Sequence, residues 1–272
     1  MPDTPDTIAT LFQAGKIAPA IQAANAAVRK TPGDLGARIL LAELLIISNN
    51  LERADVILDA AGMADPAATA VVAEFRQLLR AEQARRQLTA DGRVPEFLGD
   101  PTPALRAVLA ARVTARAGDV AEAARNAAEA EELRPRVPGI LGTKDGETPI
   151  DDFRDIDDLC AGFFEVLTTT GKFYWIPTER VASIEFHAPK RPRDLVWRRA
   201  TVSVIDGPDG EVYLPVIYEP GEVQPADEFR LGRATEWSDE NSPPVRGTGQ
   251  RVFLAGEDAI GIMDIVSLRF AP

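Results

Sequence analysis

With 272 residues and 45% hydrophobic content, the chain is long enough for two cores and too apolar for wholesale disorder. A net charge of −12 argues against nucleic acid as a partner, because such binders need cations to displace counterions from phosphates. The lone Cys160 rules out an internal disulfide, and with the lone His187 it supplies two of the four ligands a structural zinc site usually takes, so a zinc site and a His-based triad with a Cys nucleophile are both poorly supported.

The start, Met1-Pro2-Asp3-Thr4-Pro5-Asp6, is acidic and Pro-rich, where a secretory signal is basic and then apolar. No run of about 18 apolar residues is present to span a bilayer. The expectation is a cytoplasmic chain with no membrane partner. Charge is unevenly spread. Residues 1–140 hold 16 Lys and Arg against 18 Asp and Glu, a net of −2; residues 141–272 hold 14 against 24, a net of −10. Two domains, 1–140 and 141–272, are expected.

The first half is rich in alanine, leucine and arginine, with apolar residues at helical spacing. Pro32, Pro66, Pro101 and Pro135 lie 34, 35 and 34 residues apart, near the period of the tetratricopeptide (TPR) helix pair. Gly15-Lys16, Asn50-Leu51 and Gly118-Asp119 fall about half a unit earlier and read as turns within pairs, since glycine or asparagine tolerates the left-handed backbone at a helix end. In chain order, Leu11, Phe12, Ile17, Ile21 and Val28 line a first pair, Leu35–Ser48 is a strongly apolar helix, and Leu51–Ala61 packs back on it. Ala67–Leu88 is a long helix, residues 91–95 are an irregular insertion, and Pro103–Ala117 with Val120–Leu133 form the last pair. The tryptophan and tyrosine of a strong TPR consensus are absent from this half.

Residues 134–139 end the repeats, and 144–149 read as turn or linker. One more helix is expected at Ile156–Thr169, with Asp151, Asp152, Asp155, Asp157 and Asp158 complementing its positive end and Cys160 on its apolar face. An EF-hand reading of these acids fails for want of the alternating ligands and glycine. Beyond Gly171 the texture is β-branched and aromatic, with strands expected at 173–176, 181–187, 201–205, 211–218, 251–254 and 260–270. The loop Asp206-Gly-Pro-Asp-Gly210 joins 201–205 to 211–218 as a hairpin, and Pro215 marks an edge or a bulge. The fold class is therefore α+β: TPR-like helix pairs, then a small antiparallel sheet or open barrel covered by the 156–169 helix.

No phosphate loop, dinucleotide fingerprint or Gly-x-Ser-x-Gly elbow is present. An acid pair for glycoside hydrolysis stays open only because acids are plentiful. No cofactor and no metal are expected. Arg193-Asp-Leu-Val-Trp-Arg-Arg199 is the densest cluster of unusual residues. Trp197 there is either a stacking or partner contact or simply core, with Arg193 and Arg198 paired to nearby acids. His187, closing a strand, reads as structural.

Four collinear blocks resemble the ImpE family, also called TagJ, of accessory proteins of bacterial type VI secretion systems. They are Arg193-Asp-Leu-Val-Trp-Arg-Arg-Ala200, Leu214-Pro-Val-Ile-Tyr218, Leu231-Gly-Arg-Ala-Thr-Glu-Trp237 and Val245-Arg-Gly-Thr-Gly-Gln-Arg-Val-Phe-Leu-Ala-Gly256. The resemblance extends over the whole chain. It implies a non-enzymatic adaptor that associates with the small subunit of the contractile sheath and is linked to the AAA+ unfoldase that dismantles contracted sheaths. It carries over no catalytic motif. Stacked helix pairs suit a partner helix in a groove. The candidate partner-binding residues are Arg193, Asp194, Trp197, Arg198, Tyr218, Arg233 and Trp237 in the second half, and Leu40, Leu44 and Ile47 in the first. The alternatives are a generic TPR scaffold whose C-terminal domain binds a small ligand or nucleotide, and an enzyme using an undocumented acid pair.

Overall fold

In the first half, helix ends carry their own start and stop signals. The computed structural model describes residues 7–64, 66–219, 221 and 224–271, so the acidic start read above lies outside the described residues. Helix α1 (Ile8–Gln13) begins behind Thr7, whose hydroxyl accepts from the Thr10 N–H, and α2 is Ile17–Lys30. Helix α3 (Leu35–Ile47) begins behind Asp34, whose carboxylate accepts from the Ala37 N–H, and α4 (Leu51–Ala64) follows. A 3₁₀ turn at Pro66–Ala68 leads into α5 (Thr69–Asp91), which starts and ends about two to three residues later than the spacing predicts. Gly92 closes it in the left-handed conformation, φ 75°. The segment read as an irregular insertion runs on into a short strand, β1 (Glu96–Phe97). Thr102 and Asp119 then cap α6 (Pro103–Arg116) and α7 (Val120–Leu133). Gly15 and Gly118 take the left-handed turns as expected, whereas in the middle pair it is Asn49 (φ 68°), one residue before the expected Asn50.

Burial sorts these helices into layers. Helix α2 buries only Ile17, Ala20 and Ala24, and α4 only Ala54, Leu58 and Ala61. Such one-sided stripes belong to outer helices. Helix α3 buries every residue from Leu41 to Ile47, and α5 buries a wide stripe that takes in Phe75 and Glu82 on one side and Ala81, Ala84 and Leu88 on another. A helix buried over more than one narrow stripe has neighbours on more than one side. The neighbours of α3 and α5 on the inner side belong to the second half of the chain: Phe163, Leu167, Trp175, Val196, Trp197 and Leu231 share their core.

That second half contains β2 (Gly139–Thr143), β3 (Gly146–Ile150), β4 (Phe153–Asp155), β5 (Phe163–Leu167), β6 (Phe173–Pro177), β7 (Val181–Phe186), β8 (Trp197–Val204) and β9 (Asp209–Pro215). A short helix α8 (Asp227–Arg230) precedes β10 (Thr235–Trp237), β11 (Gly247–Gly249), β12 (Val252–Ala255), β13 (Asp258–Gly261) and β14 (Ile265–Phe270). Nine strands form one sheet in the order β1-β6-β5-β9-β8-β7-β14-β2-β3, antiparallel except where β1 runs parallel to β6. The sheet order β13-β12-β4 and the ribbon β10-β11 complete the fold.

The large sheet has two buried faces. One meets the helices. The other carries Phe164, Val166, Ile184, Val202, Leu214 and Leu268 and closes over Phe153 and Phe253, whose rings stack with centroids 4.8 Å apart. Strands near both ends of the sheet feed this one interior, so the sheet curls around it. The end strands β1 and β3 do not pair, so the curl stays open.

Several expectations need correcting. Residues 156–169 form no helix; they make a turn and then β5, and the sheet is covered instead by helices of the first half. Leu159, Cys160, Phe163, Phe164 and Leu167 mimic a helical apolar face, but all five residues of β5 are buried because both of its faces are covered. Cys160 is a core residue in that turn rather than on a helix. The five aspartates accordingly cap no helix. Residues 144–149, read as turn or linker, belong to the hairpin β2–β3, which begins at Gly139, the last residue read as the end of the repeats. The single strand expected at 260–270 is split between β13 and β14.

Candidate functional site

The helices and the sheet meet across a buried chain of charges. The inner face of α5 presents Glu82 and Arg85, and Glu165 projects from β5 toward them. Arg85 Nε donates to Glu165 Oε2 at 2.8 Å. Arg251 reaches the same oxygen at 2.5 Å and Asp155 Oδ2 at 2.8 Å. The Tyr218 hydroxyl donates to Asp155 Oδ1 at 2.6 Å, and Trp197 Nε1 donates to Glu82 Oε2 at 3.1 Å. Asp157, fully buried, accepts from Arg246 and from the Leu159 and Gly247 N–H groups. Burial works to raise the Glu165 carboxyl, but Arg85, Arg251 and Arg112 overcome it and hold it at about 2. Burial, with Asp157 nearby, pushes the Cys160 thiol up to about 12, so the group stays neutral and is no nucleophile.

The sheet opens to admit this chain of charges. Strands β5 and β9 share one ladder pair, Leu167 with Tyr213. Further along, Pro215, expected to mark an edge or a bulge, sits in a strand between β5 and β8 and has no N–H to offer a neighbour. The Val216 and Ile217 carbonyls there accept instead from the Arg251 N–H (2.7 Å) and Arg85 Nη2 (3.1 Å).

The candidate residues are largely tied into this seam. Ile47, Trp197 and Tyr218, from both halves of the sequence, line one small cavity of about 50 Å³ beside Glu82. Leu44 is buried in α3, and Leu40 packs against the same core. The Arg193 guanidinium sits 4.2 Å over the Phe75 ring and 3.8 Å from Glu43. Asp194 accepts from the Lys190 and Arg191 N–H groups at 2.7 and 3.0 Å. Arg198 was expected to pair with an acid; its hydrogen bonds go to the Ile262 and His187 carbonyls, and burial lowers its pKa to about 10. Arg233 donates to the Phe12 carbonyl at 3.2 Å, and Trp237 meets Tyr218 edge-on at 5.7 Å. His187 bonds Thr201 at 3.0 Å. Sequence reasoning missed Glu82, Arg85, Glu165 and Arg251. Arg85 and Glu165 are 80 positions apart, and no local pattern marks the pair.

A second feature is a cleft of about 230 Å³ at one end of the curled sheet. Val166, Ile176, Val202 and Val204 form its apolar floor, with Tyr174 and Leu98 at the sides. Among the described residues no group of His, Cys, Asp or Glu is arranged to hold a metal ion, and no helix is long and apolar enough to cross a membrane.

Residues 11–79 match the family model of the tetratricopeptide repeat, and residues 147–269 match that of the ImpE protein, a span that includes all four sequence blocks. Over 264 residues, 96% of this chain and 90% of the relative, the sequence is 31% identical to the type VI secretion system accessory component TagJ of Pseudomonas aeruginosa. The chain belongs to the ImpE/TagJ family. A crystal structure of a protein from Vibrio parahaemolyticus has the same fold, with a TM-score of 0.88, 26% identity and 97% of each chain covered. In this ImpE/TagJ protein the family's blocks are where the seam is built. The 193–200 block supplies Trp197, 231–237 supplies the contacts to Phe12 and Tyr218, and 245–256 supplies Arg246 and Arg251.

Proposed function

We propose that this ImpE/TagJ protein is a non-catalytic cytoplasmic adaptor of a type VI secretion machine. It holds a helix of the small contractile-sheath subunit and assists the AAA+ unfoldase that dismantles contracted sheaths. The observation that carries this reading is the extent of the match to TagJ, a protein named as an accessory component of that system: it takes in both the helix pairs and the sheet. The chemistry of the seam is consistent with an adaptor. Its acids are held by arginines and backbone N–H groups inside the protein, and its thiol is neutral.

The inner face of the helix pairs is covered by the chain's own Val196, Trp197 and Leu231, so a partner helix is expected on another surface. The test is a fluorescence-anisotropy titration of the full chain against labelled peptides tiling the small sheath subunit. Saturable binding to one helical segment is expected. A folded chain that binds none of the peptides, and recovers no sheath subunit from extract of its native host, would overturn the reading.

A further inference from the structure

Residues 187–199 run against the charge of the half they belong to. They hold five Lys and Arg against the single Asp194, inside a half that carries an excess of ten acids. Neighbouring acids account for two of the five cations: Arg199 pairs with Glu211, and Arg193 lies 3.8 Å from the buried Glu43. The other three have no ion pair among the described residues. Lys190 and Arg191 are exposed. Arg198 is buried and donates to the Ile262 and His187 carbonyls, while the exposed Asp264 acts on it only through space. Asp194 is engaged with the backbone, where one oxygen accepts from the Lys190 and Arg191 N–H groups at 2.7 and 3.0 Å. Glu185, on the adjoining β7, lies diagonal to Arg269 and acts there. Three unpaired cations against one unpaired carboxylate leave this segment positive. Like charges held side by side repel, and an anion from outside relieves that repulsion.

The segment is also shaped to receive one. A cavity of about 230 Å³ opens beside it, lined by His187, Ala188, Lys190, Asp194 and Arg199. Ala188, Lys190 and Arg199 are exposed, so a partner can touch them. The backbone that carries the cations is fixed in place. Pro189 and Pro192 flank Lys190 and Arg191, and their rings lock φ. Asp194 ties the two N–H groups, and Arg193, 4.2 Å over the Phe75 ring, fastens the following turn to α5.

We propose that this cavity and its rim dock an acidic stretch of the adaptor's protein partner. One carboxylate of the stretch enters between Lys190 and Arg199, and a second meets Arg191. The proposal rests on the adaptor reading for its partner being a protein, and it assigns that partner a surface away from the seam.

The test is fluorescence anisotropy of the full chain with a fluorescein-labelled peptide alternating glutamate and serine. At about 0.1 M salt, acids more than about 10 Å away are largely screened, and the local cations decide the outcome. The control is the same peptide with glutamine in place of glutamate. The glutamate peptide should bind saturably, and the glutamine peptide should not. Lys190→Glu should weaken binding about tenfold, and Lys190→Glu with Arg191→Glu should abolish it. Lys144→Glu makes the same charge change at the exposed turn between β2 and β3, and should leave the affinity as it was. All three side chains are exposed, so circular dichroism melts should match the native chain. Absence of binding by the glutamate peptide, equal binding of the glutamine peptide, unchanged affinity in the double variant, or an equal loss in Lys144→Glu and Lys190→Glu would overturn the proposal. Extract of the native host separates it from the adaptor reading. Sheath subunit recovered equally by the native chain and the double variant would overturn the patch and leave the adaptor standing. Sheath subunit recovered by neither, with the glutamate peptide still bound at the patch, would overturn the adaptor alone.

Discussion

Replacing Glu165 by glutamine should cost this protein about 3–5 kcal/mol of stability, the usual consequence of removing one partner from a buried ion pair. The carboxylate receives Arg85 at 2.8 Å and Arg251 at 2.5 Å from opposite sides of the seam. Glutamine keeps the shape and removes the charge, leaving two guanidinium groups facing each other across a neutral amide. An independent route gives a similar size. Lowering the Glu165 pKa from 4.5 to about 2 corresponds to about 3 kcal/mol at about 1.4 kcal/mol per pH unit. At about 2–4 °C per kcal/mol for a chain of this size, the melting temperature should fall by about 6–20 °C. Urea unfolding followed by circular dichroism measures the change. Adding Arg85→Met should restore part of the loss, because the second substitution removes a charge the first left stranded. A loss below about 1 kcal/mol for Glu165→Gln, or strict additivity in the double variant, would refute the view that this pair clamps the helices to the sheet.

Three further outcomes are expected. Gly247→Ala should destabilise by about 1–3 kcal/mol in the same unfolding assay, because a methyl group there would collide with the Tyr218 ring. Trp197→Phe keeps most of the ring but strips Glu82 of the indole N–H, and a loss of about 1–3 kcal/mol is expected. Stability should also depend on pH with two opposing slopes. Burial raises Glu43 to about 7 against the pull of Arg193 and Arg191, so the folded state binds its proton more tightly and stability falls as pH rises from 4.5 through 7. Glu165 is shifted the other way, so its contribution is present above 4.5 and is lost as pH falls toward 2. Burial likewise raises Asp155 to about 6, so its contribution falls over the same upper range, and Glu43→Gln should make the loss of melting temperature between pH 5 and 7 shallower without abolishing it.

What was legible in the sequence was whatever has a local cause. The helix pairs announced themselves through the spacing of Pro32, Pro66, Pro101 and Pro135 and through Gly15 and Gly118, whose left-handed backbone ends a helix locally. The β8–β9 hairpin did so through alternation and its Asp-Gly turn. Residues 156–169 failed because apolar spacing near 3 and 4 fits a helix as well as a turn followed by a doubly covered strand. The β2–β3 hairpin was hidden by a mostly exposed β3 containing Pro149, which looks like linker. The charge chain was out of reach altogether, since Glu82 and Trp197, or Asp155 and Arg251, are joined by the fold and by nothing in their neighbourhoods.

The two-residue strand β1 has a consequence for anyone dissecting the molecule. It leaves the helical segment to lie along β6, and it supplies the sheet's outermost member from residues 96–97. At the opposite border, a cut at residue 147 removes β2 and with it the partner of both β14 and β3. A fragment of residues 147–269 would thus carry raw margins on both sides of its sheet. Its stickiness toward other chains would report exposed backbone, and baits for finding true partners should keep residues 8–270 together.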